Sequence, residues 1–87
     1  MYVILCYDVA VKRVARVHKT VRKYLRPVQR SVMAGNLTDR TLGKLKAEIQ
    51  ALIDPARDAV VIYSADTASV LTRHQIGLSG DEDPNIL

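Results

Sequence analysis

Residues 2–7, Tyr-Val-Ile-Leu-Cys-Tyr, are apolar without a break, and the run stops on a carboxylate, Asp8. Branched, aliphatic and aromatic side chains with no polar interruption predict a strand covered on both faces, inside a sheet rather than at its edge. The rest of the chain, or a partner, must therefore supply two covers. A strand rising ~3.3 Å per residue carries Asp8 to the rim of the sheet, where loops converge and chemistry concentrates.

The charges beyond Asp8 are of one sign. From Val9 to Thr38 there is no acidic residue, while Lys12, Arg13, Arg16, Lys19, Arg22, Lys23, Arg26 and Arg30 fall in that stretch, eight of the 13 basic residues in the chain. Residues 11–25 predict a helix. At ~100° per residue, Val14, Val17, Val21 and Leu25 share one face, and Lys12, Arg16, Lys19, Lys23 and Arg26 stripe the other. Solvated helix faces normally mix signs. An unmixed basic stripe points to phosphates, with nucleic acid as the first partner and an anionic membrane surface as the rival. Against the membrane, the chain has no Trp or Phe to seat in lipid. Arg13 and Arg16, nearest to Asp8, are expected to meet a phosphate at the rim, and Lys19 and Lys23 to extend the contact. A lone carboxylate facing this segment suggests a metal ion or a phosphate backbone, the alternative being that Asp8 simply ends the strand or caps the helix.

Pro27 stops the helix or starts the next strand. Residues 27–34 predict one short extended segment and Gly35-Asn36 a turn. Thr38 suits an N-cap, with Asp39 in the first turn of a second helix. Leu42, Leu45, Ile49, Leu52 and Ile53 give that helix its apolar face, and Asp54-Pro55 ends it. Residues 58–63 form a second buried strand, Ser69 to Ile76 a further short one, and Gly77 to Leu87 an extended tail. Strands alternating with helices on one sheet face make an α+β domain. At 87 residues it is a single domain with a small core, burying only ~60% of its unfolded surface. Oligomerisation is a common remedy, and a partner subunit is the simplest cover for the second sheet face.

The chemistry that is missing narrows the function. Cys6 is the single cysteine, so no intrachain disulfide is possible, in keeping with a reducing cytosol. No apolar stretch approaches the ~20 residues of a membrane span, and no basic segment precedes the first apolar run as in a signal peptide. A cytoplasmic protein is expected. There is no Gly-rich phosphate loop and no Gly-x-Ser-x-Gly elbow. His18 and His74 have no Cys/His cluster around them and read as structural or exposed. Tyr7 reads as strand packing or as a platform for a base.

The order of these residues resembles the second CRISPR-associated protein family, the small adaptation nucleases that partner the CRISPR integrase. The residues that carry it are Tyr7-Asp8-Val9, the basic helix, Val28-Gln29-Arg30-Ser31-Val32-Met33-Ala34-Gly35, Val61-Ile62-Tyr63, and Ile76-Gly77 followed by Glu82-Asp83-Pro84. Two departures stand out: Met33 replaces the family's usual Phe, and Arg26-Pro27 replaces the Gly that often follows the first helix. The resemblance implies a ferredoxin-like βαββαβ sandwich over residues 1–87 and a homodimer whose C-terminal strand and tail, residues 66–87, pack on the partner's sheet. It implies an endonuclease on RNA or DNA in antiviral defence, with Asp8 as catalytic residue and ligand of Mg²⁺, or Mn²⁺, held between two copies. Magnesium takes one or two carboxylates plus waters, and a symmetric pair supplies two. Ser31 is the serine the family keeps in this segment and is expected to touch nucleic acid. Two other readings stay open: a non-catalytic dimeric adaptor that holds spacer DNA for the integrase, and a toxin-like ribonuclease of the same fold.

Overall fold

The computed structural model describes residues 1–67 and 70–77, so the expected tail lies outside the described residues from position 78 onward. The elements run β1 (Tyr2–Asp8), α1 (Val11–Val21), β2 (Arg26–Gln29), β3 (Val32–Asn36), α2 (Asp39–Leu52), β4 (Ala59–Thr67) and β5 (Val70–Gly77). All strand pairs are antiparallel, in the order β2-β3-β1-β4-β5. This is the expected ferredoxin-like βαββαβ sandwich with a fifth strand added beyond β4. Among the described residues no helix is long and apolar enough to cross a membrane.

The apolar run takes the centre of the sheet, as its composition requires. Val3, Leu5 and Tyr7 are buried with Met33, Val60 and Ile62 beneath Val17 and Val21 of α1 and Leu42, Leu45 and Ile49 of α2. Both helices cover this one face. Strand alternation sends Tyr2, Ile4, Cys6 and Asp8 to the other. There the register sets them beside Val32, Ala34 and Asn36 of β3 and Ala59, Val61, Tyr63 and Ala65 of β4. That face is mostly apolar, and among the described residues no helix lies over it. Thr38 caps α2 as expected, its hydroxyl accepting from the Thr41 amide at 3.1 Å.

Three expectations need correction. Helix α1 ends at Val21, and the chain tightens through a turn in which the Tyr24 amide donates to the Val21 carbonyl at 2.9 Å. The segment 27–34 is a hairpin, not one strand. It reverses at Arg30-Ser31, where Ser31 sits at φ 58°, a left-handed conformation that serine rarely adopts. Gly35-Asn36 is the end of β3 and not a turn; the space at Gly35 goes to Leu25, whose Cδ2 would lie 3.2 Å from an added Cβ. Beyond these, β5 pairs with β4 of its own chain, Ala59 opposite Gly77 and Ala65 opposite Leu71.

One corner is held by a charge. Asp58 is fully buried at the entry to β4. Its Oδ1 accepts from the Ala10 amide at 2.9 Å and from Arg13 Nη2 at 3.0 Å. Its Oδ2 accepts from Arg13 Nε at 2.6 Å and from the Asp54 amide at 2.9 Å. The Arg13 guanidinium, above all, holds this carboxyl well below the usual carboxylate range; desolvation opposes it and the Ala10 and Asp54 amides assist. Gly77 completes the corner. At φ +88° it passes so close that an added Cβ would stand 2.2 Å from the Asp58 carbonyl oxygen.

Gly77→Ala is therefore expected to destabilise the fold by about 1–3 kcal/mol, through strained backbone and a backbone clash, read as a lower urea midpoint. Stability is also expected to respond to acid. Because folding depresses the Asp58 pKa, its contribution is complete above the unfolded carboxylate value of ~3.9 and is lost as pH falls below it towards the folded value. Urea unfolding from about pH 5 to pH 2 should show that loss. Asp58→Asn should start less stable and show a shallower decline.

Candidate metal and nucleic-acid site at the rim of the central strand

Asp8 is the last residue of β1 and lies exposed opposite Ala59 of β4. Its place in the alternation puts the carboxylate at one end of the helix-free face. The β2–β3 turn closes on the same end. The Tyr7 amide donates to the Ser31 carbonyl at 3.0 Å, which pins the left-handed serine beside the residue preceding Asp8. Asp8 and Ser31, far apart in sequence, thus share one rim. The strain at Ser31 is kept because β1 receives its carbonyl there, as strained residues commonly are near functional groups.

The basic residues divide. Arg16 and Lys19 stand exposed on the outer face of α1, directed away from the sheet, with Lys12 and Arg22 beside them. Lys23 belongs to the same stripe, but its ammonium is paired with Glu48 of α2. The Tyr24 hydroxyl donates to the other oxygen of that carboxylate. Lys23 is raised above its ordinary value chiefly by its own hydrogen bond to Glu48, and Glu48 is lowered by Lys23 and then Tyr24. Arg13 does not join the stripe. Its guanidinium turns inward to Asp58, its side chain only 16% exposed. Arg13 was expected at a phosphate because it is near Asp8 in sequence, and in the folded chain the buried carboxylate takes the Nε–Nη2 edge of its guanidinium.

The remaining candidates are structural. Tyr7 is buried and its hydroxyl shares a hydrogen bond with His18 Nδ1 at 2.8 Å, so the ring is packing and not an open platform for a base. Cys6 is half-buried on the helix-free face, and desolvation pushes its thiol up, away from reactivity. His74 is exposed on β5 beside a cleft of about 460 Å³ lined by Gln50, Ile53, Pro55, Gln75, Ile76 and Gly77; Asp8 is not among its walls.

For a metal, the donor set decides. Among the described residues no group of three or more His, Cys, Asp or Glu side chains converges, which sets aside a zinc-type cage within one chain. Asp8 is an exposed oxygen donor, and Mg²⁺ needs only one or two carboxylates with water filling the rest. The residues present fit such an ion if a second copy contributes its own Asp8.

Asp58 is the residue that sequence reasoning missed. It reads as an ordinary first residue of a buried strand, and its partner Arg13 lies 45 positions away, beyond any local pattern.

Known proteins of similar sequence and structure agree with this architecture. The family profile described as CRISPR associated protein Cas2 matches residues 1–73. The chain is 45% identical over 83 residues to the CRISPR-associated endoribonuclease Cas2 of Thermotoga maritima, covering 95% of each chain. It is 37% identical to the protein of the same name from Dictyoglomus turgidum, over 87 residues and the whole of both chains. Among solved structures, one titled "Crystal structure of cas2" superposes with a TM-score of 0.74 at 34% identity, covering 100% of this chain and 98% of that one. Streptococcus pyogenes Cas2 at pH 6.5 superposes with a TM-score of 0.69 at 28% identity, covering 75% of this chain and 86% of that one. With this fold, the profile match over residues 1–73 and the relatives 45% and 37% identical over 95% and 100% of the chain place it in the CRISPR associated protein Cas2 family.

Proposed function

We propose that this chain is a metal-dependent endonuclease of CRISPR adaptation, acting in the cytoplasm as a homodimer alongside the CRISPR integrase during spacer acquisition. The observation that carries the reading is the position of Asp8: an exposed carboxylate at the end of the central strand, on an apolar sheet face that no element among the described residues covers. Ile4, Cys6, Val32, Ala34, Val61 and Tyr63 lie on that face, and at ~25 cal/mol per Å² their burial gives a second copy good reason to settle there. A second copy also brings the second carboxylate. The relatives' name, endoribonuclease, supports RNA phosphodiesters as substrate, and the basic helix suits DNA as well.

Mg²⁺, or Mn²⁺, held by Asp8 of both copies would activate water and offset charge on the scissile phosphate. The chain's own residues do the rest. Arg16 and Lys19 neutralise backbone phosphates along α1, Lys23 being paired with Glu48, and the Ser31 hydroxyl donates to a phosphate oxygen at the rim. Arg13 is not part of this contact set. Neutralisation of backbone charge binds nucleic acid with little regard to sequence.

A specific feature favours a second reading, the non-catalytic adaptor. The basic stripe lies on the outer side of the helix layer and Asp8 on the opposite sheet face, so binding through α1 need not present a phosphate to Asp8. Duplex held along the helices while Asp8 stays at a closed interface would serve the integrase without cleavage.

Asp8→Asn separates the two. It keeps shape and removes two charges per dimer, so metal affinity and cleavage are expected to collapse together while light scattering still shows the dimer. Equal cleavage by wild type and variant would end the nuclease reading; absence of cleavage in both, with duplex binding retained, would leave the adaptor. For the stripe, replacing Arg16 and Lys19 by Ala is expected to lower the log–log salt slope of nucleic-acid binding by about 1.5, from two lost phosphate contacts. An unchanged slope would make α1 a solvated face.

A further inference from the structure

Asp58 and Arg13 stand outside the proposed metal site, yet their contacts end on the connection that leaves it. We infer that Asp58 is a positioning residue, which through Arg13 and the Ala10 amide fixes the segment following Asp8 and so sets where the Asp8 carboxylate stands. The inference rests on the reading that Asp8 holds the metal, and it assigns Asp58 and Arg13 a task in that reading.

The geometry is specific to this segment. Asp8 is the last paired residue of β1, opposite Ala59. Only Val9 and Ala10 then separate it from the first residue of α1. Ala10 is the helix N-cap, and its side chain offers no capping hydrogen bond. Its own amide donates to Asp58. Both ends of the Asp8 segment are therefore referred to adjacent residues of one strand entry: Asp8 to Ala59, Ala10 to Asp58. Arg13, one turn into α1, grips the same carboxylate with two nitrogens, so the start of the helix cannot slide relative to β4. A fork bound at two points fixes orientation as well as distance. Ligand positions need to hold within roughly 0.5 Å for function, and an exposed aspartate at a strand end would otherwise have its backbone secured on one side alone.

The test uses the full chain with four variants: Asp8→Asn, Asp58→Asn, Arg13→Lys, and Leu45→Ala as a core control remote in sequence from the rim. Two quantities are measured, amide hydrogen exchange at Asp8, Val9 and Ala10 against Val3 and Leu5, and Mn²⁺ affinity. In Asp58→Asn, exchange at residues 8–10 should rise at least about tenfold more than at Val3 and Leu5, and Mn²⁺ affinity should fall about tenfold, in the range seen when a ligand's supporting partner is lost. Arg13→Lys, which keeps the charge and one hydrogen bond, should show the same pattern more weakly and supplies the readout if Asp58→Asn does not fold. In Leu45→Ala, exchange should rise evenly across all five amides with Mn²⁺ affinity unchanged. Even exchange across β1 in the Asp58 and Arg13 variants, or unaltered Mn²⁺ affinity, overturns the inference. If Asp8→Asn binds Mn²⁺ as well as wild type, the metal reading has failed instead, and the exchange pattern alone decides whether Asp58 positions the segment.

Discussion

A carboxylate with no exposed surface survives in so small a chain because four donors meet it. Burying a charge costs several kcal/mol unless its lone pairs are satisfied. Asp58 has two nitrogens of Arg13, the Ala10 amide and the Asp54 amide around it. Three separate parts of the chain converge there: the exit from β1, the first turn of α1 and the entry to β4. Such a contact differs in kind from the apolar core, which tolerates changes of similar volume. Loss of one partner leaves the others buried and unmatched. Even β5 conforms, since Gly77 passes over the Asp58 carbonyl in a space that admits no side chain.

The one-sidedness of the helices governs everything else. With α1 and α2 on the same face, the sheet becomes a partition between two surfaces of different character. On the outer side of the helix layer stand Arg16, Lys19 and their neighbours; on the bare side lie Ile4, Cys6, Val61 and Tyr63, with Asp8 at the end of the row. A polymer attracted to the first surface and a subunit attracted to the second would not compete. Charge and apolar area are thus kept on separate surfaces.

Much of this is legible in the sequence where local periodicity carries it. The unbroken run at Tyr2–Tyr7 had to be a central strand, the spacing of Val14, Val17, Val21 and Leu25 had to face a core, and Thr38 had to begin a helix. Asp8 at a strand end and the one-signed stripe are equally plain. The failures share a cause, which is that distant residues decide them. The β2–β3 reversal uses Arg30-Ser31, where no glycine or asparagine announces a turn, because Ser31 is fastened by the Tyr7 amide. Gly35 resembles a turn residue and instead makes room for Leu25. Arg13 reads as one more cation of the stripe until Asp58, across the fold, claims it. Family resemblance could place Asp8 and Ser31 at a site, but not the pairing of residues 13 and 58, which only the folded chain displays.

The central position of β1 also dictates an order of events in synthesis. This strand leaves the ribosome before its neighbours β3 and β4, and its last pairing, Asp8 with Ala59, must wait for the entry to β4. Non-local pairing of this kind slows folding and leaves strands exposed meanwhile. Six apolar residues without charge or proline are also the composition from which intermolecular zippers form. The basic segment that follows, emerging next and carrying one sign of charge, repels its copies on neighbouring nascent chains. The one-signed charges of α1 thus stand where a gatekeeper beside the chain's most adhesive strand would be placed.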